Sequence, residues 1–565
     1  MVPAGRIAFP LLAMVMAGCA GQVPPGGGPP DTIPPAIIRT VPDTNAVRVT
    51  THAVTLEFSE YVNRRKAEES IFISPYVGEL EFEWDGRELT ARFTESLREN
   101  TTYVVNVGTD VTDLRADNRM AAGFTLAFST GDSIDRGFVA GRVFDEKPEG
   151  VMIFAYRLNG ILPDTLDPTH TRPDYITQTG KNGQFALSHL ALGSYRILAV
   201  RDEYRDLVYE RQIDGYGVTT GDMLLAPSHL RINDVWFRMS REDTAKPFLA
   251  GARPRDRYHI GIRFSEPIDS ASFLRGTAAV LDTLSGNAVP VALFYQDRVQ
   301  PAVAGILLAA PLDSPATYRV RVWGVADKAG NLIDSTARGE LIAGVLAADT
   351  LRPRISVRDM RDSSRAVAIG APVELLFSDP VRFAPLERGI TLLDSTRKSV
   401  EMRLVRTGPA SVAILPRSPF MSRAWYAVTV RMDSVRSLRG LGYRDSTYAL
   451  RFQTMDVRTT GVLAGTVTDE AGAGGKGRVF LTAASVDLNP PRSVTLLLNQ
   501  PGPFTFPMLA EGKYRLSGFR DADSSGDFSY GLPFPFTPAE RFAVYPDTVR
   551  VRARWSVEGA ELRFR

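Results

Sequence analysis

Tyr318-Arg319-Val320-Arg321-Val322 alternates aromatic or aliphatic residues with arginines. A period of two is that of a strand with one buried and one wet face, whereas a helix would repeat about every 3.6 residues. The strand returns as Tyr103-Val104-Val105-Asn106-Val107 and as Tyr426-Ala427-Val428-Thr429-Val430. Upstream of each copy lies an apolar segment ending in Phe-Ser-acid: Phe58-Ser59-Glu60, Phe264-Ser265-Glu266 and Phe377-Ser378-Asp379. Further upstream, each begins Asp-Thr-x-x-Pro-x-Ile/Leu, at Asp31 to Ile37, Asp243 to Leu249 and Asp349 to Ile355. The first and third copies close with Phe128-Ser129-Thr130 and Phe452-Gln453-Thr454.

The spacing of these copies sets the organisation. Asp243 and Asp349 are 106 residues apart, the length of one small sandwich, while Asp31 and Asp243 are 212 apart. A unit of similar size is therefore inserted between the first two copies, and it has a partner at the end of the chain. Ala140-Gly141-Arg142-Val143-Phe144-Asp145 matches Ala464-Gly465-Thr466-Val467-Thr468-Asp469. Gly183-Gln184-Phe185 matches Gly502-Pro503-Phe504, and Gly193-Ser194-Tyr195-Arg196-Ile197 matches Gly512-Lys513-Tyr514-Arg515-Leu516, both at an offset of 319 residues. The pattern A–B–A–A–B predicts five all-β sandwich domains at 31–131, 132–241, 242–348, 349–455 and 456–565. Few segments show helical periodicity; Arg64 to Ser70 is expected to form one short helix, and Trp84-Asp85-Gly86-Arg87 predicts a tight hairpin turn at Asp-Gly.

The A units resemble the bacterial Ig-like domains of S-layer proteins. The resemblance rests on the Pro-x-Ile start, the Phe-Ser-Glu strand end, the Tyr-x-Val-x-Val strand and Asp327-Lys328-Ala329-Gly330-Asn331, which is similar to that family's Asp-x-x-Gly-Asn hairpin. The hairpin is degraded at Asp113 to Asn118 and lost in the third copy. The B units resemble transthyretin-like, carboxypeptidase-regulatory-like domains through their Gly-x-Val-x-Asp and Gly-x-Tyr-x-Ile/Leu strands. The whole order resembles a lipoprotein group of Bacteroidota-type bacteria. The resemblance implies tandem Ig-like and transthyretin-like β-sandwiches and brings no activity with it.

The first thirty residues carry a different message. Arg6 precedes an apolar run, Ile7 to Met16, too short to span a bilayer and right for a signal-peptide core. Val15-Met16-Ala17-Gly18-Cys19 resembles a lipobox, with Met16 where leucine is usual. This implies a signal peptide over 1–19, cleavage after Gly18 and lipidation of Cys19, followed by a Pro/Gly-rich tether over 20–30. Cys19 is the only cysteine among 565 residues, so the domains are held by packed cores without disulfides. No inner-membrane retention Asp follows Cys19, which points to the outer membrane's periplasmic face.

Charge and motif content narrow the function. With 66 basic and 64 acidic residues the net charge is +2, which gives no field for nucleic acid. The five histidines lie far apart, and no nucleophile elbow, P-loop or dinucleotide fingerprint occurs. No catalytic residues and no organic cofactor are expected. The acids Glu60, Glu266 and Asp379 are read as solvated strand ends, each following a core phenylalanine. One loop suggests an inorganic ligand: Asp521, Asp523, Ser525 and Asp527, with Gly526 at the sixth position, follow the first half of a calcium loop. Leu532 stands where the closing bidentate glutamate belongs. Trp323 and Trp425 are expected to pack in their cores. The expectation is a non-catalytic, lipid-anchored envelope scaffold with a protein or glycan partner, or else a carbohydrate-binding accessory lipoprotein.

Overall fold

The computed structural model describes residues 31–564 apart from 161, 335–338, 445, 471–474 and 490. The expected signal peptide, Cys19 and the expected tether lie outside the described residues. The fold is all-β: 49% of the chain is strand and 5% helix. Among the described residues no helix is long and apolar enough to cross a membrane. Arg64–Glu69 does form a helix, capped by the Asn63 side chain, which accepts from the Lys66 N–H. The hairpin beside it turns one residue later than expected. Asp85 pairs with Glu88, so Gly86 and Arg87 form the turn, and Gly86 takes the left-handed φ of 59° that the tight reversal requires.

The chain divides into two compact units. The first comprises Met1–Gly160, Pro173–Ile197 and Met223–Asn233; the second comprises Ile161–Arg172, Leu198–Asp222 and Asp234–Arg565.

In the first unit, a four-stranded sheet (Ile37–Val41, Ala53–Phe58, Glu88–Phe93, Leu80–Asp85) accompanies a three-stranded one (Ile71–Ser74, Thr102–Val107, Phe124–Ser129). Val54, Leu56 and Phe58 of the first sheet share one buried core with Tyr103, Val105 and Phe128 of the second. The unit continues into the strands Gly137–Phe144, Met152–Arg157, Tyr175–Gln178 and Gln184–Leu190. Side chains of the first sandwich bind the backbone of this later part: Asn106 Nδ2 donates to Ile176 O at 2.6 Å, and Ile176 N donates to Ser74 Oγ at 3.1 Å.

In the second unit, three further pairs of sheets enclose cores over 249–342, 357–455 and 463–564. The last pair joins Pro503–Ala510, Thr460–Asp469 and Ser556–Phe564 in one sheet, with Ser493–Leu498, Arg478–Ser485, Gly512–Asp521 and Phe542–Val551 in the other.

The repeated motif residues have repeated jobs. Tyr103, Tyr318 and Tyr426 are buried, and each phenolic oxygen accepts from the backbone N–H five residues upstream: Arg98 at 2.7 Å, Asp313 at 2.8 Å and Met421 at 2.8 Å. The corresponding Tyr195 and Tyr514 instead donate to the carbonyls of Ala191 at 2.7 Å and Ala510 at 2.9 Å, four residues upstream. The burial is apolar and the hydroxyl is satisfied locally, as in the tyrosine corners of Ig-like sandwiches. The serines of the Phe-Ser-acid motif clasp the first strand. Ser59, Ser265 and Ser378 Oγ each accept, at 3.0 Å, from the N–H of Ala36, Phe248 and Arg354. Their own N–H groups return a bond to the same residues' carbonyls.

Two further expectations need correction. Asp379 is buried rather than solvated, because Arg255 reaches it at 2.6 Å. Trp323 and Trp425 are half-buried and stand outside the packed cores, since they lie on the alternate, outward face of their Tyr-x-Val-x-Val strands.

Candidate functional site

Among the described residues, four groups of acidic and histidine side chains bring potential ligand atoms within 4.8 Å of one another: Asp31/Glu60/Asp113, Asp243/Glu266/Asp327, Asp256/His259/Asp349 and Asp521/Asp523/Glu540. The first two are one arrangement built twice. The strand-end glutamate meets the aspartate that opens the repeat and the aspartate of the Asp-x-x-Gly-Asn-type hairpin. Asp113 is largely spent on its own turn, accepting the N–H groups of Arg115, Ala116, Asp117 and Asn118; the Ala116 bond in particular holds its carboxyl below the ordinary range. Asn118 and Asn331 donate to the carbonyls of Asp31 and Asp243, fastening the entering chain to the hairpin. Burial, then the neighbouring carboxylates, push Glu60 and Glu266 up. The third repeat has Asp349 and Asp379 at the matching positions, but Ser437 replaces the hairpin acid, and Arg439 Nε lies 3.7 Å from Asp349.

In the Asp256/His259/Asp349 group, Asp256 and His259 satisfy each other, while Asp349 Oδ2 receives no hydrogen bond and faces Arg439 Nε at 3.7 Å. Asp256 accepts from the Tyr258 and His259 N–H groups and from His259 Nδ1 at 2.8 Å. Burial opposes its charge, yet these bonds hold its carboxyl below the ordinary value. Arg439 stacks over Tyr258 with its guanidinium carbon 3.2 Å from the ring centroid, closing the group with a protein cation.

The fourth group differs. Asp521 ends the strand Gly512–Asp521 and is fully buried, and neither of its carboxylate oxygens receives a hydrogen bond. Asp523 accepts from Ser529 Oγ at 2.5 Å and from Ser525 N at 2.9 Å; the Ser529 bond leads the effects that hold its carboxyl low. Glu540 accepts from Ala522 N at 2.6 Å and Ser529 N at 3.0 Å, and burial pushes it up despite those bonds. The structure thus brings together Asp521 and Asp523 of the four expected ligands. Ser525 Oγ instead donates to the Asp527 carbonyl at 2.8 Å, and the exposed Asp527 carboxylate lies 3.9 Å from Lys328 Nζ. Glu540 is the member that reading along the loop misses. It stands outside the twelve-residue calcium-loop spacing and arrives on the segment that leads into the strand Phe542–Val551.

Residues 31–130 match the bacterial Ig-like domain family. No curated protein matches the chain. Among solved structures, the N-terminal part of the bacterial S-layer protein SbsC is similar at 11% identity, over 37% of this chain and 44% of that one, with a TM-score of 0.17. The chain therefore spans less than half of that structure. A longer SbsC structure, residues 31–844, is similar at 9% identity over 92% of this chain and 66% of that one, with a TM-score of 0.16. An L,D-transpeptidase from Mycobacterium smegmatis is similar at 14% identity over 36% of this chain and 90% of that one, with a TM-score of 0.14.

Proposed function

We propose that the chain is a non-catalytic, lipid-anchored scaffold of the cell envelope, built as five sandwich domains with the A–B–A–A–B layout. The observation that carries this reading is what the repeated residues do. The three tyrosines and three serines that recur each close a bond inside their own repeat. Repetition here maintains a building block, which suits a spacer presenting surface to a partner. The lipobox resemblance at Cys19 and the Pro/Gly tether support attachment to a membrane, most simply the periplasmic face of the outer membrane. The Ig-like match over 31–130 supports an extracytoplasmic setting.

The test is fractionation of cells expressing the parent and Cys19→Ser. The parent is expected in the membrane fraction after an alkaline wash and the variant in the soluble fraction. A variant that stays with the membrane would overturn the lipid-anchor reading.

Carbohydrate binding is the second reading, and one observation favours it: Trp555 stands 70% exposed, free to stack on a sugar ring. Loss of retention on cell-wall glycan by Trp555→Ala would support it; unchanged retention would contradict it.

A further inference from the structure

We propose that Asp521, Asp523 and Glu540 bind one calcium ion in the last sandwich. Gly512–Asp521 and Phe542–Val551 are antiparallel, with Gly518 opposite Ala543 and Phe519 opposite Phe542. Carried two residues further, that register sets Asp521 opposite Glu540, and Arg520 N donates to Arg541 O between them at 2.9 Å. Like charges directly opposed across a strand pair repel.

The same ladder shows how the protein treats the like-charged pair next to it. Arg520 and Arg541 project to the other face, as alternation requires. There Asp469 pairs with both: its Oδ1 lies 2.9 Å from Arg541 Nη1 and its Oδ2 pairs with Arg520. Two opposed cations are thus bridged by a buried anion. The two opposed anions on the reverse face call for a bridging cation. Arg478 stands opposite Asp521 on the strand Arg478–Ser485, but it lies over the Phe480 ring and gives Asp521 no hydrogen bond, and the other nearby basic groups are engaged elsewhere. Arg520 and Arg541 hold Asp469. Arg238 lies over the rings of Phe528 and Tyr530, and Lys328 reaches Asp527.

Asp521 is fully buried with both oxygens lacking a hydrogen-bond donor. A buried carboxylate is ordinarily paired, hydrogen-bonded or bound to a metal. Asp521 has neither of the first two arrangements, while its neighbours in the group have partners. The orphaned oxygens belong to a group in which Asp523 and Glu540 each offer an oxygen within 4.8 Å.

The donor set selects the ion. Three carboxylates with no sulfur or imidazole suit a hard divalent cation. An irregular loop that leaves positions to water suits calcium's flexible coordination better than magnesium's strict octahedron. The loop is also held in place. Phe528 packs on Phe519 and Phe542 at 5.9 and 5.7 Å between ring centroids. Beyond it, Gly531 O accepts from Tyr216 Oη at 2.8 Å and Ala539 N donates to Thr219 O at 3.1 Å. An ion on Asp521 and Glu540 would stiffen the loop that makes these bonds to residues 216–219.

The experiment is calorimetric titration of chelator-treated mature chain with calcium chloride, alongside thermal unfolding in calcium and in chelator. Saturable one-site binding is expected, with a Kd of about 0.1–1 mM, the range of extracellular modules, at least tenfold tighter than for magnesium. An unfolding transition should move up with calcium. Asp521→Asn should abolish the binding heat and, in chelator, unfold no earlier than the parent, because it removes a repelled charge. Should that variant not fold, Asp523→Asn keeps an oxygen for the Ser525 N–H and can donate to Ser529 Oγ, and should weaken binding at least tenfold. A folded parent with no saturable calcium heat, equal affinity for magnesium, or variants with parental affinity would overturn the site.

Discussion

The phenolic oxygen of Tyr318 accepts the backbone N–H of Asp313 at 2.8 Å, tying the strand to the corner that precedes it. The ring is buried, so the residue serves the core and the corner together. Tyr318→Phe removes the acceptor and should cost about 1–2 kcal/mol, the usual loss for a hydrogen bond whose buried partner is left unmet. Tyr318→Ala also empties the ring's space and should cost about 3–5 kcal/mol. Chemical denaturation of the two variants checks both the order and the gap. A Tyr318→Phe variant as stable as the parent would mean that the hydroxyl contributes nothing, and equal losses would mean the same of the ring's packing.

Asp469 is the counterion of two arginines, and its side chain is 2% exposed. Asp469→Ala leaves both guanidinium groups without that partner, one of them on a buried side chain. The expected cost is about 3–5 kcal/mol, as for other broken buried pairs. A loss below about 1 kcal/mol in denaturant titration, the level of a surface pair, would contradict the bridging role.

Asp362 offers a pH test. Arg451, through its side chain and backbone N–H, holds this exposed carboxyl down to about 2. The folded value lies below the unfolded one, so the contribution is fully present above about pH 4 and is lost as the pH falls through about 2. NMR titration should place the Asp362 carboxyl well below a free aspartate, and Arg451→Ala should raise it part of the way, because the N–H of residue 451 still donates. A normal value in the parent would refute the pairing.

Arg255 and Asp379 belong to different repeats, and Asp379 is buried. Arg255→Ala should therefore destabilise the repeat that holds Asp379, by about 3 kcal/mol in the range for an orphaned buried charge. Asp379→Asn in the same background should recover part of the loss. Additive losses in a double-mutant cycle would show that the two residues do not interact.

These cases mark what could be read from the chain alone. The alternation around Tyr318 and its two relatives exposes a buried strand face directly, and the offsets of Asp31, Asp243 and Asp349 expose repetition, so the all-β class was legible. Local chemistry was legible too at Asn63, a good helix cap. Contacts joining distant positions were not. Nothing near Asp379 announces Arg255, which comes from the preceding repeat, so the aspartate reads as solvated. Glu540 is equally silent: it lies nineteen residues from Asp521, and only the antiparallel register aligns them. The turn beside Trp84 shifted by one residue because Asp85 remains in the ladder opposite Glu88.

The central claim is attachment through Cys19, and mass spectrometry of the mature protein's N-terminal peptide tests it most directly. The expected peptide begins at Cys19, with a diacylglyceryl thioether on the sulfur and an acylated amino group. A mature chain that begins at another residue, or carries Cys19 as an unmodified thiol, would contradict it.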